Sequence, residues 1–212
     1  MNKFIDVEQN SDEWFSLRAG KLTSSNMGVV MANYNKSFGV PAKKYAVNIA
    51  IEQITKNKIG SDYYNIHMQR GIEQEPIARL LYEQNTFENV TNGGFFDCGF
   101  FGCSPDGLVN KDGVIEIKSV IPITHYDNIK RGNIDPAYKW QCIANLKYTD
   151  RDYLDFISYC SDFPPNKNLY VYRMFKDNYK DEFDMIDNRV EEFKKLVIET
   201  KEIIINSDYY KL

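Results

Sequence analysis

The stretch from Ser104-Pro105-Asp106-Gly107 to Ser119 constrains this chain more than any other. Val114 to Lys118 alternates in the two-residue way of a strand, and Asn110-Lys111-Asp112-Gly113 supplies a turn signal just before it. A hairpin turning near Lys111 and Asp112 keeps a constant index sum between antiparallel partners. Asp106 therefore falls within about one residue of the position opposite Glu116 to Lys118. On the second strand Glu116 and Lys118 point to one face and Ile115 and Ile117 to the other, which predicts one polar and one buried face. The hairpin adds Asp106 to the polar face.

The pattern has the form PD, a short spacer, ExK. Two carboxylates converging with an ammonium are what magnesium-assisted phosphodiester hydrolysis needs: hard oxygen ligands for the cation, and a lysine to orient or help deprotonate the attacking water. Taken alone, the same residues also fit an ion pair on an exposed strand beside an ordinary turn.

Composition narrows the classes. The chain has 212 residues, 43% hydrophobic and 26% charged, with 7 Pro and 12 Gly. That excludes disordered, collagen-like and low-complexity chains and predicts one domain over residues 1–212. The four cysteines, Cys98, Cys103, Cys142 and Cys160, form no CxxC pair, and the first residues lack the basic-then-apolar form of a signal peptide. Reduced thiols in a cytoplasm are expected. No apolar run approaches the roughly 20 residues of a membrane span. A net charge of −4 argues against a nonspecific nucleic-acid coat, though not against a local basic groove. His67 and His125 lack zinc-ligand spacing.

Periodicity predicts a helix from Pro41 to about Asn57 and a second from about Met68 to Gln84, with Pro76 either kinking it or opening a new segment. Phe95, Phe96, Phe100 and Phe101 among glycines read as short strands. Then follow a helix around Thr124 to Arg131, another from about Pro136 to Lys147, and strands over Tyr153 to Cys160 and Leu169 to Phe175. A final amphipathic helix runs from about Asp184 to Asn206 with Val190, Phe193, Val197, Thr200 and Ile204 on one face. The fold class expected is α/β, a central mixed sheet flanked by helices.

Around this centre the chain resembles the lambda-type exonucleases, also called YqaJ-like viral recombinases, within the PD-(D/E)xK nuclease superfamily. Trp14-Phe15-Ser16-Leu17-Arg18-Ala19-Gly20-Lys21-Leu22-Thr23-Ser24-Ser25 is similar to the family's W-x-x-L-R-x-G-x-I/L-T-A/S-S opening. Gly71-Ile72-Glu73-Gln74-Glu75-Pro76 is similar to its G-x-x-x-E-P/N helix, and Tyr138-Lys139-Trp140-Gln141 to its Y-x-x-Q helix. With the Asp106 to Lys118 pattern, four motifs stand in the family's order and spacing.

The resemblance implies a restriction-endonuclease-like core and a metal-dependent deoxyribonuclease. Such an enzyme digests linear double-stranded DNA from the 5′ end, releases 5′-mononucleotides and leaves 3′ single strands. Asp106, Glu116 and Glu75 would ligate Mg²⁺, or Mn²⁺, with the Ile117 carbonyl as a further ligand. Lys118 would act on the water, and Gln141 would hold the nucleophile or the DNA. Arg18 and Ser25 would receive the terminal 5′-phosphate, a use that suits a guanidinium fork beside a hydroxyl. From the residues themselves, Ser25 also fits a helix N-cap.

The resemblance further implies a phage or prophage recombination role in the bacterial cytoplasm, a ring-shaped homo-oligomer with a trimer expected, and a single-strand annealing protein as partner. The chain departs from the pattern at Ile143, where relatives often carry a second Gln. Met68 lies where relatives place an apolar wedge, and Lys36, Lys43 and Lys44 have no clear positional match. The rivals are a PD-(D/E)xK endonuclease, a single-strand exonuclease of the iron-sulfur kind, and a noncatalytic DNA-binding module.

Overall fold

The structure is a computed structural model that describes residues 2–59 and 66–208, with the side chains of 66–68 outside the description, so Met68 and His67 cannot be placed. In chain order the elements are β1 (Lys3–Ile5), α1 (Asp12–Arg18), β2 (Leu22–Thr23), α2 (Met27–Met31), α3 (Val40–Thr55), α4 (Ile66–Thr86), β3 (Val90–Thr91), β4 (Phe95–Cys98), β5 (Phe101–Cys103), β6 (Gly107–Val109), β7 (Gly113–Ser119), α5 (Pro122–Arg131), α6 (Lys139–Thr149), β8 (Tyr153–Tyr159), β9 (Leu169–Phe175) and α7 (Lys180–Ile205).

The fold is the expected α/β arrangement of mixed sheet flanked by helices, and among the described residues its strands are divided between two mixed sheets. Their orders are β1-β4-β5-β2 and β3-β6-β7-β8-β9. In the larger sheet β7 and β8 run parallel, whereas β6 with β7 and β8 with β9 are antiparallel. A parallel pair cannot be closed by a tight turn, and α5 and α6 supply the crossover between β7 and β8.

The two faces of the larger sheet are covered differently. Val114, Leu154, Phe156 and Met174 join a core with Ile49 of α3, Cys142 and Leu146 of α6, and Phe193 and Val197 of α7. Ile115, Ile117 and Ile157 pack instead with Ala78 and Tyr82 of α4. The alternation along β7 thus assigns its even-numbered residues to the α6 side. The polar face is itself covered at Glu116, which is only 1% exposed because α6 lies over it, so the alternative of an ion pair on an exposed strand does not hold there.

Local chemistry explains where elements depart from expectation. α4 runs unbroken through Pro76, giving up one backbone hydrogen bond to the Ile72 carbonyl. The helix expected from Pro136 begins instead at Lys139, since the Asp135 side chain accepts from Ala137 N and its carbonyl from Tyr138 N, a turn that competes with the helix. α7 starts earlier than expected, at Lys180, after a short 3-10 turn over Lys176–Tyr179. No helix among the described residues is long and apolar enough to cross a membrane.

Two buried polar networks tie helices to β8. Asp155, 1% exposed, accepts from Tyr82 Oη at 2.6 Å and from both forks of Arg173 at 2.8 and 2.7 Å. His125 meets Ser158 Oγ at 2.8 Å through Nδ1 and the Lys167 carbonyl at 3.0 Å through Nε2. A carbonyl only accepts, so Nε2 carries the proton and Nδ1 accepts from the serine, the neutral ring. Burial lowers the His125 pKa below the ordinary histidine value.

Tyr82→Phe removes a hydrogen bond to a buried charge and is expected to cost about 2 kcal/mol in urea denaturation. For His125 the folded pKa is depressed, so its contribution is complete above the ordinary histidine value and is lost as pH falls through the lowered one. Melting temperature should therefore drop on acidification from neutrality, and His125→Gln should flatten that slope.

Candidate active site

The β6–β7 hairpin pairs Gly107 with Ile115 and Val109 with Gly113, which sets Asp106 opposite Glu116. Asp106 N donates to the Ile115 carbonyl at 3.1 Å, and Ile117 N donates to Asp106 Oδ2 at 2.6 Å. The carboxylate is thereby pinned to the far end of β7. Behind it, a Cβ on Gly93 would lie 1.7 Å from the Pro105 carbonyl oxygen, so only glycine lets these backbones approach so closely. Gln9 Nε2 donates to that same carbonyl at 2.8 Å, fastening the loop before α1 to the Pro105-Asp106 segment.

Glu116 is held from three directions. Its Oε1 accepts from Lys118 Nζ at 2.6 Å and from Gln141 Nε2, and its Oε2 accepts from Asn145 Nδ2 at 2.7 Å. Gln141 and Asn145 stand four residues apart on α6, one above the other on a single face. Lys118 Nζ also lies 5.0 Å from the Tyr138 ring centre.

Burial, then Glu116 and Glu75, push Asp106 well above the usual carboxylate range, with Lys118 acting in the opposite sense. Burial and then Glu116 raise Glu75 as well. Burial works against the Lys118 ammonium, but Glu116 and Asp106 outweigh it and hold its pKa above the ordinary lysine value. Lys118 is therefore a cation that donates hydrogen bonds and cannot, as it stands, accept a proton.

Asp106, Glu75, Ile117 and Lys118 open onto a cleft of about 440 Å³ that Gly71, Ile72, Ser119 and Tyr138 also line. A neighbouring hollow shares Gln9, Asn10, Ile72, Glu75 and Asp106 with it and extends to Arg79 and Asn92. The donor set is all hard oxygen, and the mutual repulsion of its carboxylates favours a divalent cation. Among the described residues, however, no three Asp, Glu, His or Cys side chains converge as a ready metal cluster. Both Glu116 oxygens are engaged by Lys118, Gln141 and Asn145, and Glu116 is not among the residues that line the cleft.

Arg18 and Ser25 come together beside this centre. Arg18 stacks 4.1 Å over the Trp14 ring, and its two terminal nitrogens donate to Ser104 Oγ at 3.4 Å and Ser25 Oγ at 3.3 Å. Trp14 Nε1 donates to the same Ser104 hydroxyl at 2.9 Å. Among the described residues no carboxylate forms a salt bridge with Arg18, and burial lowers its pKa, so the guanidinium is short of a counter-anion. The N-cap role weighed for Ser25 is not seen: the 3-10 turn Ser24–Asn26 precedes α2, and no side chain caps either. Lys43 and Lys44 are exposed on α3, and Lys36 lies by Arg189, away from the cleft.

Sequence reasoning did not single out Ser104 or Asn145. Ser104 stood in the quoted motif, two residues before Asp106, and its hydroxyl is what joins the two halves of the site. Asn145 had one usable signal, its four-residue spacing from Gln141. Its Oδ1 is buried with no hydrogen-bond partner, which marks an amide oriented wholly by its donation to Glu116. Asn145→Ala would strip a buried carboxylate oxygen of its donor and should cost about 2 kcal/mol of stability, measured by urea denaturation.

Comparison with known proteins shows the family and the fold. The YqaJ-like viral recombinase domain matches residues 13–152. An alkaline exonuclease from Laribacter hongkongensis, LHK-Exo, superposes with a TM-score of 0.80 at 32% identity, covering 92% of this chain and 97% of that one. The same enzyme in complex with dAMP gives 0.81 at 32%, covering 91% and 96%. A phage related exonuclease from Haemophilus somnus 129PT, 15% identical, shares the fold with a TM-score of 0.67 over 88% of this chain and 96% of that one. Among curated proteins no sequence match was found. From the matched domain and the similarity to LHK-Exo, the chain belongs to the YqaJ-like viral recombinase family and has its PD-(D/E)xK-like exonuclease fold.

Proposed function

We propose that this protein is a Mg²⁺-dependent exonuclease that digests linear double-stranded DNA from the 5′ end, releasing 5′-mononucleotides and leaving 3′ single strands for recombination by strand annealing. Membership of a viral recombinase family with exonuclease relatives supports the broader assignment, a nuclease. The observation that carries the finer one is the Arg18, Ser25 and Ser104 pocket, joined through Ser104-Pro105-Asp106 to the Asp106, Glu116 and Lys118 centre. A cation with no salt-bridging carboxylate among the described residues, flanked by two hydroxyls, suits a terminal phosphate. A phosphate held there places the first internucleotide linkage toward the carboxylates, and a closed circle offers no such end.

Asp106, Glu116, Glu75 and the Ile117 carbonyl would hold Mg²⁺, or Mn²⁺, and all four donors are hard oxygens. The cation would supply Lewis acidity at the scissile phosphate and lower the pKa of a bound water. The chain's own residues do the rest. Lys118, kept charged by Glu116 and Asp106, orients a water by hydrogen-bond donation and offsets negative charge as it develops. Gln141 and Asn145 hold the Glu116 carboxylate beside Lys118. Arg18, braced by the Trp14 ring, keeps its fork aimed at the substrate end.

The proposal extends to a ring-shaped homo-oligomer, with a trimer expected, and to a single-strand annealing protein as partner in a bacterial cytoplasm. A ring would keep a chain of net charge −4 on DNA through topology where bulk electrostatics is weak.

The test is digestion of linear duplex DNA, 5′-phosphorylated or 5′-hydroxyl, with Mg²⁺ or EDTA, beside closed circular DNA. Metal-dependent release of 5′-mononucleotides from phosphorylated ends, with circles intact, is expected. Lys118→Ala should lower kcat by at least about 100-fold. Arg18→Ala should erase the preference for phosphorylated over hydroxyl ends, with a loss of about 10-fold or more on the former. Cutting of closed circles would assign an endonuclease instead, and tight DNA binding without hydrolysis a noncatalytic module.

A further inference from the structure

Several glycines in this fold have visible reasons. A Cβ at Gly102 would lie 2.3 Å from the Phe95 ring, and one at Gly113 would lie 2.3 Å from the Tyr153 ring, so packing excludes a side chain at both. Gly99 and Gly132 have open space around them but hold left-handed backbones, φ +79° and +63°, which side chains disfavour. Gly71 has neither reason. It lies in the second turn of α4, its φ is not among the positive values, and nothing among the described residues stands within 4 Å of where its Cβ would be.

A glycine inside a helix is destabilising relative to almost any other residue except proline, since the unfolded chain gains freedom and the helix gains no contact. The open side of Gly71 faces the cleft that Glu75, Asp106 and Lys118 line. Glu75 stands four residues further on, on the same helix face. What sets Gly71 apart is its place on that cleft, where a bare backbone suits the close approach of something outside the chain.

We propose that Gly71 is a substrate-contact position: the sugar-phosphate backbone of the DNA strand being cut lies against the uncovered backbone of α4, and the missing side chain sets how near that strand comes to Glu75 and Asp106. This rests on the reading of the cleft as a nuclease site. Ile72, 43% exposed and lining the same cleft, forms the apolar edge beside this contact.

The experiment compares the full-length protein with Gly71→Ala and Gly71→Leu. It measures melting temperature, steady-state kinetics on 5′-phosphorylated linear duplex, and binding of the same duplex by fluorescence anisotropy in EDTA. Alanine and leucine are better helix formers than glycine, so both variants should melt at or above the wild-type temperature. KM and the anisotropy Kd should rise about threefold for alanine and about tenfold or more for leucine, in order of side-chain size, with kcat affected less.

Variants that melt normally yet keep KM and Kd within about twofold of wild type would overturn the proposal. So would a fall in melting temperature that accounts for the loss, since the glycine would then be structural. The two readings separate in the wild-type lanes. A wild type that binds duplex without cutting it removes the nuclease reading, while size-graded loss of binding in the variants still upholds the contact at Gly71. A wild type that neither cuts nor binds removes both.

Discussion

Glu116 is a carboxylate at 1% exposure in the middle of a sheet, and a charge so placed is tolerated only when every oxygen finds a donor. Lys118, Gln141 and Asn145 meet that demand, and in doing so they determine how β7 and α6 must sit against one another. Removing any one donor leaves part of a buried charge without compensation. The hairpin that carries Asp106, the crossover helices between β7 and β8, and the α6 side of the core can all be read as the surroundings this arrangement requires.

The electrostatics carry an unresolved tension that belongs to function rather than to folding. Burial and then Glu116 and Glu75 raise the cost of ionising Asp106, burial and then Glu116 that of Glu75, and Lys118 offsets only part of it. Nearby, Arg18 has the opposite imbalance, a guanidinium braced by an indole ring and two hydroxyls with no salt-bridging carboxylate among the described residues. An excess of negative charge beside an excess of positive charge suits a substrate that brings an anionic end and a cation that follows it. Stability alone would favour neither group, which fits the general observation that sites give up stability for preorganisation.

The two halves of the site are joined by very little chain. Ser104 hydrogen-bonds Trp14 and Arg18, Pro105 is fastened by Gln9, and Asp106 is pinned by Ile117, in three consecutive residues. A shift in this segment would move the phosphate pocket and the carboxylate centre together. In the proposed reaction, that coupling keeps the distance from strand end to scissile bond constant, a requirement for releasing one nucleotide at a time.

Much of this was legible before any coordinates. That Asp106 falls within about one residue of the position opposite Glu116 to Lys118 follows from a turn signal and a constant index sum, both local, and the helix and strand runs follow from periodicity, which the backbone's own geometry imposes. The family was legible too, since its motifs are quoted in order along the chain. What the sequence could not determine was long-range: that the polar face of β7 is roofed by α6, that Asn145 rather than Ile143 supplies the next contact on that helix, and that the strands divide between two sheets. Nor could it show that Trp14, Arg18, Ser25 and Ser104 meet, being up to 90 residues apart. Local patterns record which face a side chain takes along its own element; which element covers that face is decided only by packing the whole chain at once.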